Sequence, residues 1–180
     1  MTELQFRFIP SSDITPGQQK EIDALDALAF TGQTDDDNPE LAGITWASCD
    51  WMALGFLGDT LVTQSAVPIR EISVGNEKVW VAGIGGVAAH PKFQHKGYAS
   101  ALLGATQLFL HYKIQVPFGL LICADTLRTF YERAGWYFAG GVLYISIDNQ
   151  RRALHTCVMI LQLTNQTWPA GEIDLCGPPW

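Results

Sequence analysis

No stretch of this 180-residue chain approaches the ~18 consecutive apolar residues that a membrane-spanning helix needs. Its start, MTELQFRFIP, lacks the basic-then-apolar build of a secretory signal. Charge is also scarce: Asp, Glu, Lys and Arg together make up 16% of the residues. Basic residues are the scarcer kind, with 11 Lys plus Arg against 18 Asp plus Glu and a net charge of −7. That balance argues against a groove for nucleic acid. It mildly favours a cationic partner, with a merely solvated acidic surface as the alternative. The four cysteines, Cys49, Cys123, Cys157 and Cys176, contain no C-x-x-C pair, so neither a zinc site nor a disulfide framework is suggested. No internal repeat or low-complexity tract is evident. These absences lead to an expectation of a soluble, reduced, cytoplasmic protein without metal, membrane or nucleic-acid contacts.

What is present is a core. Apolar residues reach 48%, and the length suits one domain, residues 1–180. LQFRFIP alternates as a strand does, and Thr15-Pro16 reads as the cap and first turn of a helix with Ile22, Leu25 and Ala29 on one face. TGQTDDDNPE is a loop by composition. Gly58-Asp59 and Gly75-Asn76 read as hairpin turns joining three antiparallel strands, with cores at 51–56, 61–69 and 79–87. A helix follows over 99–113, with a stripe of Leu102, Ala105 and Phe109. GLLICA reads as a short buried strand. The segment DTLRTFYERAGW reads as a helix burying Leu127, Phe130, Tyr131 and Ala134, with Gly135 as its stop. Residues 142–147 and 155–163 close the order β-α-β-β-β-α-β-α-β-β, a mixed sheet with helices against it.

The junction HPKFQHKGYA, between a strand and a helix, has the makings of an anion site. A helix start presents unpaired N–H groups and partial positive charge. Gly97 lets the backbone approach a phosphate, with His95 and Lys96 adding charge. An ordinary turn with a tolerated glycine is the competing reading.

VAAHPKFQHKGYASALL resembles the acetyl-CoA-binding segment of the GCN5-related N-acetyltransferases, with Gln94, Gly97 and Ala99 in the signature places. FYERAGW is similar to the family's second segment, a helix carrying a tyrosine before a glycine-aromatic stop. The resemblance implies an α/β fold, a mixed and mostly antiparallel sheet with a splayed central parallel pair flanked by helices. It also implies acetyl-CoA as cosubstrate, its pyrophosphate on the backbone of residues 95–100. The implied coenzyme set comprises Val87, Ala88, Ala89, Gln94, His95, Lys96, Gly97, Tyr98, Ala99, Ser100 and Phe130. Val87 and Ala89 would pair with the pantetheine, and the Val87 N–H would face the thioester carbonyl as an oxyanion donor. Gly85-Gly86 could supply the bulge this needs, or serve close helix packing, or both.

By the same resemblance Tyr131 would be the general acid for the departing thiolate, where periodicity alone also permits a core tyrosine. Cys123 ends a strand near the expected sulfur, and direct transfer needs no cysteine nucleophile. Gly83 stands where relatives often carry a glutamate, and Ala124 where they often carry a polar residue. Asp125, Glu71, His90 or a held water are the substitutes for the missing base.

GEIDLCGPPW resembles the tails of the aminoglycoside 2′-N-acetyltransferase branch. The implied arrangement is a tail, residues 164–180, over the acceptor site. Asp125, Glu172, Asp174 and the carboxylate of Trp180 would then hold an ammonium group, with Asp35, Asp36, Asp37 and Glu40 as an opposite wall or a solvated loop. The expectation is an acetyl-CoA-dependent N-acetyltransferase moving an acetyl group directly to the primary amine of a small cationic acceptor. A coenzyme-A-binding module without turnover and a peptide N-terminal acetyltransferase are the alternatives. A homodimer is compatible with the sequence.

Overall fold

The computed structural model describes residues 3–32, 39–41 and 43–180. Asp35, Asp36 and Asp37 lie outside the described residues. The first strand, β1 (Leu4–Pro10), pairs antiparallel with β2 (Trp51–Leu57). Between them runs α1 (Pro16–Ala29), where Thr15 and Gln18 form a reciprocal capping box and Pro16 occupies the first turn. Ile22 and Leu25 are buried on one side of the sheet with Met52, Leu54 and Ala88.

The region from 51 to 89 holds five strands, not the three expected. They are β2, β3 (Thr60–Val67), β4 (Ile69–Val74), β5 (Glu77–Gly83) and β6 (Gly85–Ala89). Both hairpin turns fall where Gly58 and Gly75 predict them, at φ +59° and +56°. The extra breaks come at Pro68 and Ile84, one residue out of register with each other across the ladder. Pro68 has no N–H to continue the pairing. Its carbonyl accepts the Gly83 N–H at 2.7 Å, and the Asp50 carboxylate takes the Ile69 N–H at 2.6 Å. Here both strands change sheets. On one side lies β1-β2-β3-β6, and on the other a closed barrel in the order β10 (Ile173–Asp174), β4, β5, β7 (Phe118–Cys123), β9 (Gln150–Gln162) and β8 (Tyr137–Ile147).

Helix α2 (Tyr98–Phe109) runs on through a wider π-helical turn over Leu110–Ile114. It buries Leu102, Leu103, Thr106 and Leu110 rather than the narrower expected stripe. Phe109 stacks on Phe8 at 4.3 Å, which fixes α2 on the sheet face opposite α1. Strand β7 (Phe118–Cys123) lies parallel to β5. The helix expected over 125–136 is shorter. A 3-10 turn at Asp125–Leu127 precedes α3 (Arg128–Arg133), and Leu127 is 46% exposed. Gly135 ends the helix at φ +89°, as the sequence predicts.

The last two strands are longer than expected, β8 (Tyr137–Ile147) and β9 (Gln150–Gln162). They form one hairpin through Asp148 and Asn149, both left-handed at φ +51° and +62°. The tail adds β10 (Ile173–Asp174), antiparallel to β4 and parallel to β8, which closes the barrel. A strand of two residues is too short to carry an alternating period of its own.

Candidate active site

The parallel pairing of β5 and β7 ends at Gly83 opposite Leu120, and the Ile84 N–H makes a last bond to the Leu120 carbonyl at 3.0 Å. Beyond it β6 pairs with β3 and β7 with β9, so the two strands part. On β6 the register against β3 slips: Gly85 sits opposite Ala66 and Ala88 opposite Gln64, leaving Gly86 and Val87 in a bulge without partners on β3. Gly86 takes φ +54° to make the bend. Val87 packs toward the cluster under α2 and α3, and Ala88 toward the cluster under α1. The gap between the strands thus faces α2 and α3 on one side and α1 on the other.

At the α2 end, Gly97 is the N-cap at φ +81° with no side-chain cap, and His95 is also left-handed at φ +60°. The first turn of α2 carries no acidic residue. Gln94 Nε2 donates to the Ala89 carbonyl at 3.3 Å, tying the loop to the end of β6, and Lys96 lies 5.1 Å over the Phe93 ring. Nothing lies within 4 Å of the position a Gly97 side chain would take. A left-handed cap, uncapped N–H groups and open space on one helix start fit a phosphate-bearing ligand.

Tyr131 of α3 is 6% exposed, edge-on to Phe130 at 5.0 Å and to Trp136 at 6.3 Å. Burial, with a smaller contribution from Cys123, pushes its phenol well above the usual tyrosine value. The group therefore keeps its proton at neutral pH. Burial also pushes the Cys123 thiol to about 12. A thiol so far from ionisation is a poor nucleophile.

On the α1 side of the barrel, the Trp180 indole is 6% exposed and donates Nε1–H to the Leu120 carbonyl at 3.1 Å. It fills the space above Gly83: a Cβ there would stand 2.4 Å from the indole ring. A Cβ on Gly85 would stand 2.6 Å from the Trp180 carbonyl carbon. Glycine at 83 and 85 is thus the room that Trp180 needs. Arg70 holds the tail from below, donating to the Pro178 carbonyl at 2.8 Å with its guanidinium 5.2 Å from the Trp180 ring.

The other sequence-derived acidic residues do not gather there. Asp174 accepts from Arg151 at 2.6 Å and from the Cys176 N–H at 2.8 Å, and Glu172 accepts from Tyr144 and Arg151. Asp125 lines a separate cavity with Cys123, His155 and Cys157, and Glu40 is paired with His155 at 2.8 Å. Glu71 is exposed on β4, and the His90 ring accepts the Lys92 N–H at 3.2 Å. Two side chains close to Gly86 escaped the sequence reading, Asp26 and Gln64. They are 38 residues apart, and only the packing of α1 on β3 brings them within 2.6 Å.

A parallel strand pair opening at a bulge, a left-handed phosphate-type loop opening the next helix, and a buried, protonated tyrosine define an acyl-CoA-dependent N-acetyltransferase. Residues 12–139 match the family model described as the acetyltransferase (GNAT) domain, and the chain belongs to that family. The fold is similar to that of Escherichia coli ElaA, with a TM-score of 0.64, 15% identity, and 89% of this chain and 100% of the other covered. It is similar to an acyl-CoA N-acyltransferase from Pseudomonas aeruginosa, with a TM-score of 0.60, 12% identity and coverage of 88% and 99%. It is also similar to the ribosomal-protein-S18-alanine N-acetyltransferase of Escherichia coli, with a TM-score of 0.57, 14% identity and coverage of 91% and 97%. No curated protein matches the sequence. The family acts on small-molecule or peptide acceptors, with an acyl-CoA as cosubstrate. Among the described residues, no helix is long and apolar enough to cross a membrane.

Proposed function

We propose that the protein transfers an acetyl group from acetyl-CoA directly to a primary amine of a small cationic acceptor. The observation that carries this reading is the gap between β6 and β7, which links the Gly97 loop on one face to the α1 face on the other. Residues 95–100 hold the pyrophosphate, and the backbone of Val87 and Ala89 lines the pantetheine. The acetyl thioester supplies the electrophilic carbonyl. The Val87 N–H, at the bulge where the β6 register slips against β3, donates to its oxygen as the tetrahedral adduct forms. Tyr131, which holds its proton at neutral pH, gives it to the leaving sulfur as the C–S bond breaks.

Two features support a small acceptor over a peptide in an open groove. The tail is docked on the barrel, and Trp180 is buried against Gly83 and Gly85 beside the gap. The net charge of −7 and the tail's likeness to aminoglycoside 2′-N-acetyltransferases support a cationic one, an aminoglycoside-like polycation in the finer form of the reading. Gly83 in place of a strand carboxylate favours a second reading, a coenzyme-A-binding module without turnover.

Steady-state thiol release against a panel of amines separates the two. Transfer predicts amine-dependent thiol release, and Tyr131→Phe should lower kcat by roughly 10²–10⁴-fold with coenzyme A affinity little changed. No release with any amine, in protein that binds coenzyme A, would establish the module instead. Near wild-type turnover in the phenylalanine variant would return Tyr131 to the core.

A further inference from the structure

Between α1 and the sheet lies a cavity of about 240 Å³ whose lining includes Asp23, Asp26, Gln64, Ala66 and Gly86. Its chemistry is one-sided. Two carboxylates face it from successive turns of α1, and no Lys, Arg or His is among its described lining residues. Gln64, on β3, is 1% exposed. Its Nε2 donates to Asp26 Oδ1 at 2.6 Å and to the Ile22 carbonyl at 3.3 Å, both of them acceptors only. That fixes the amide's orientation. Its Oε1 is then left buried without a hydrogen-bond partner among the described residues. A buried amide oxygen without a donor costs stability, as does a half-buried carboxylate with another beside it. Desolvation raises the Asp26 pKa, and repulsion from Asp23 adds to the rise. Gln19 Nε2 donates to Asp23 at 2.7 Å, but no positively charged group among the described residues lining the cavity answers the two carboxylates.

The place of the cavity says which group. Gly86 lines it, and Gly86 is the bulge residue directly before Val87. Consecutive Cα atoms stand about 3.8 Å apart across a trans peptide. The cavity therefore opens within a residue of the gap through which the acetyl group would pass.

We propose that this cavity is a binding site for a second ammonium group of the acceptor, which makes the preferred substrates diamines or polyamines rather than monoamines. Asp26 and Asp23 supply the countercharge and Gln64 Oε1 accepts an N–H, while the free amine at the other end of the acceptor lies in the gap. The site rests on the acceptor side assigned under the proposed transfer, but its binding is measurable without turnover.

The probes are α,ω-diaminoalkanes of three to eight carbons and the n-alkylamines of matching length, titrated calorimetrically into coenzyme-A-loaded protein. At least one diamine should bind tenfold or more tightly than its monoamine. Asp26→Asn should abolish that preference, because it removes the charge while keeping an acceptor for Gln64. Glu21→Gln, the same charge change on the exposed face of α1, should not. If no diamine outbinds its matching monoamine, or if folded Asp26→Asn keeps the preference, the site is overturned. Should the variant fail to fold, the wild-type comparison of diamines and monoamines still decides. A diamine preference without thiol release would keep the site and sink the transfer reading. Thiol release with no diamine preference would do the reverse.

Discussion

Gly97 holds φ +81° at the start of α2, where any side chain is strained and where a Cβ would project into the open space proposed for a phosphate. Gly97→Val should therefore weaken coenzyme A binding at least tenfold, about 1.4 kcal/mol. Unchanged calorimetric affinity in a folded variant would remove the loop from the coenzyme site. Asp26 allows a test at the same scale that needs no ligand. Its folded pKa is raised above the ordinary 3.8, chiefly by desolvation. The native state then binds the proton more readily than the unfolded chain does, so the charged form is penalised at neutral pH. That penalty fades as pH falls through the raised value and is gone below the ordinary one. Asp26→Asn should thus be more stable than the wild type at neutral pH, the gain shrinking to nothing in acid. Denaturant melts across that range check the sign. A variant less stable at neutral pH would mean that the carboxylate is there for the fold.

At the scale of elements, the tail is held by backbone pairing and by one large side chain. Gly75 and Leu175 N–H groups bond the Glu172 and Tyr144 carbonyls at 2.9 and 2.8 Å, and the Trp180 indole fills the room above Gly83. Trp180→Ala removes a buried aromatic and should cost roughly 3–5 kcal/mol. Gly83→Ala should also destabilise, since its new methyl would meet the indole. In the Trp180→Ala background the clash with the indole is gone and only that with the Pro68 ring, at 2.7 Å, remains, so part of the cost should vanish. Equal costs for Gly83→Ala in both backgrounds, read from urea melts, would show that the tryptophan is not what requires the glycine. The change of sheet at Pro68 has the same character. A missing N–H ends β3, and the Asp50 carboxylate takes the Ile69 N–H where β4 begins.

For the whole molecule, the net charge of −7 acts at a distance on any cationic acceptor. Raising ionic strength from low to physiological should raise KM for a diamine more than for a monoamine, because attraction to exposed charges is screened within about 8–10 Å. A KM indifferent to salt would leave the charge to solubility alone. Whatever depends on neighbours along the chain is readable from the residues alone. The Thr15 cap with Pro16 in the first turn, the turns at Gly58 and Gly75 and the stop at Gly135 were legible because each is a local steric or hydrogen-bonding requirement, and the two motifs around Gln94 and Tyr131 by their resemblance to the family. Gly85-Gly86 was legible as a bulge for the same reason. Tertiary structure decided what depends on distant pairing. It made β10 a strand only because β4 and β8 offer it free edges, and split two apparent strands into four by sending their halves to different sheets. It paired Asp174 and Glu172 with Arg151, away from the gap, and brought Asp26 to Gln64 across 38 residues. A carboxylate's role follows from what neutralises it, and that neighbour is chosen by the packing of the whole chain rather than by the residues beside it.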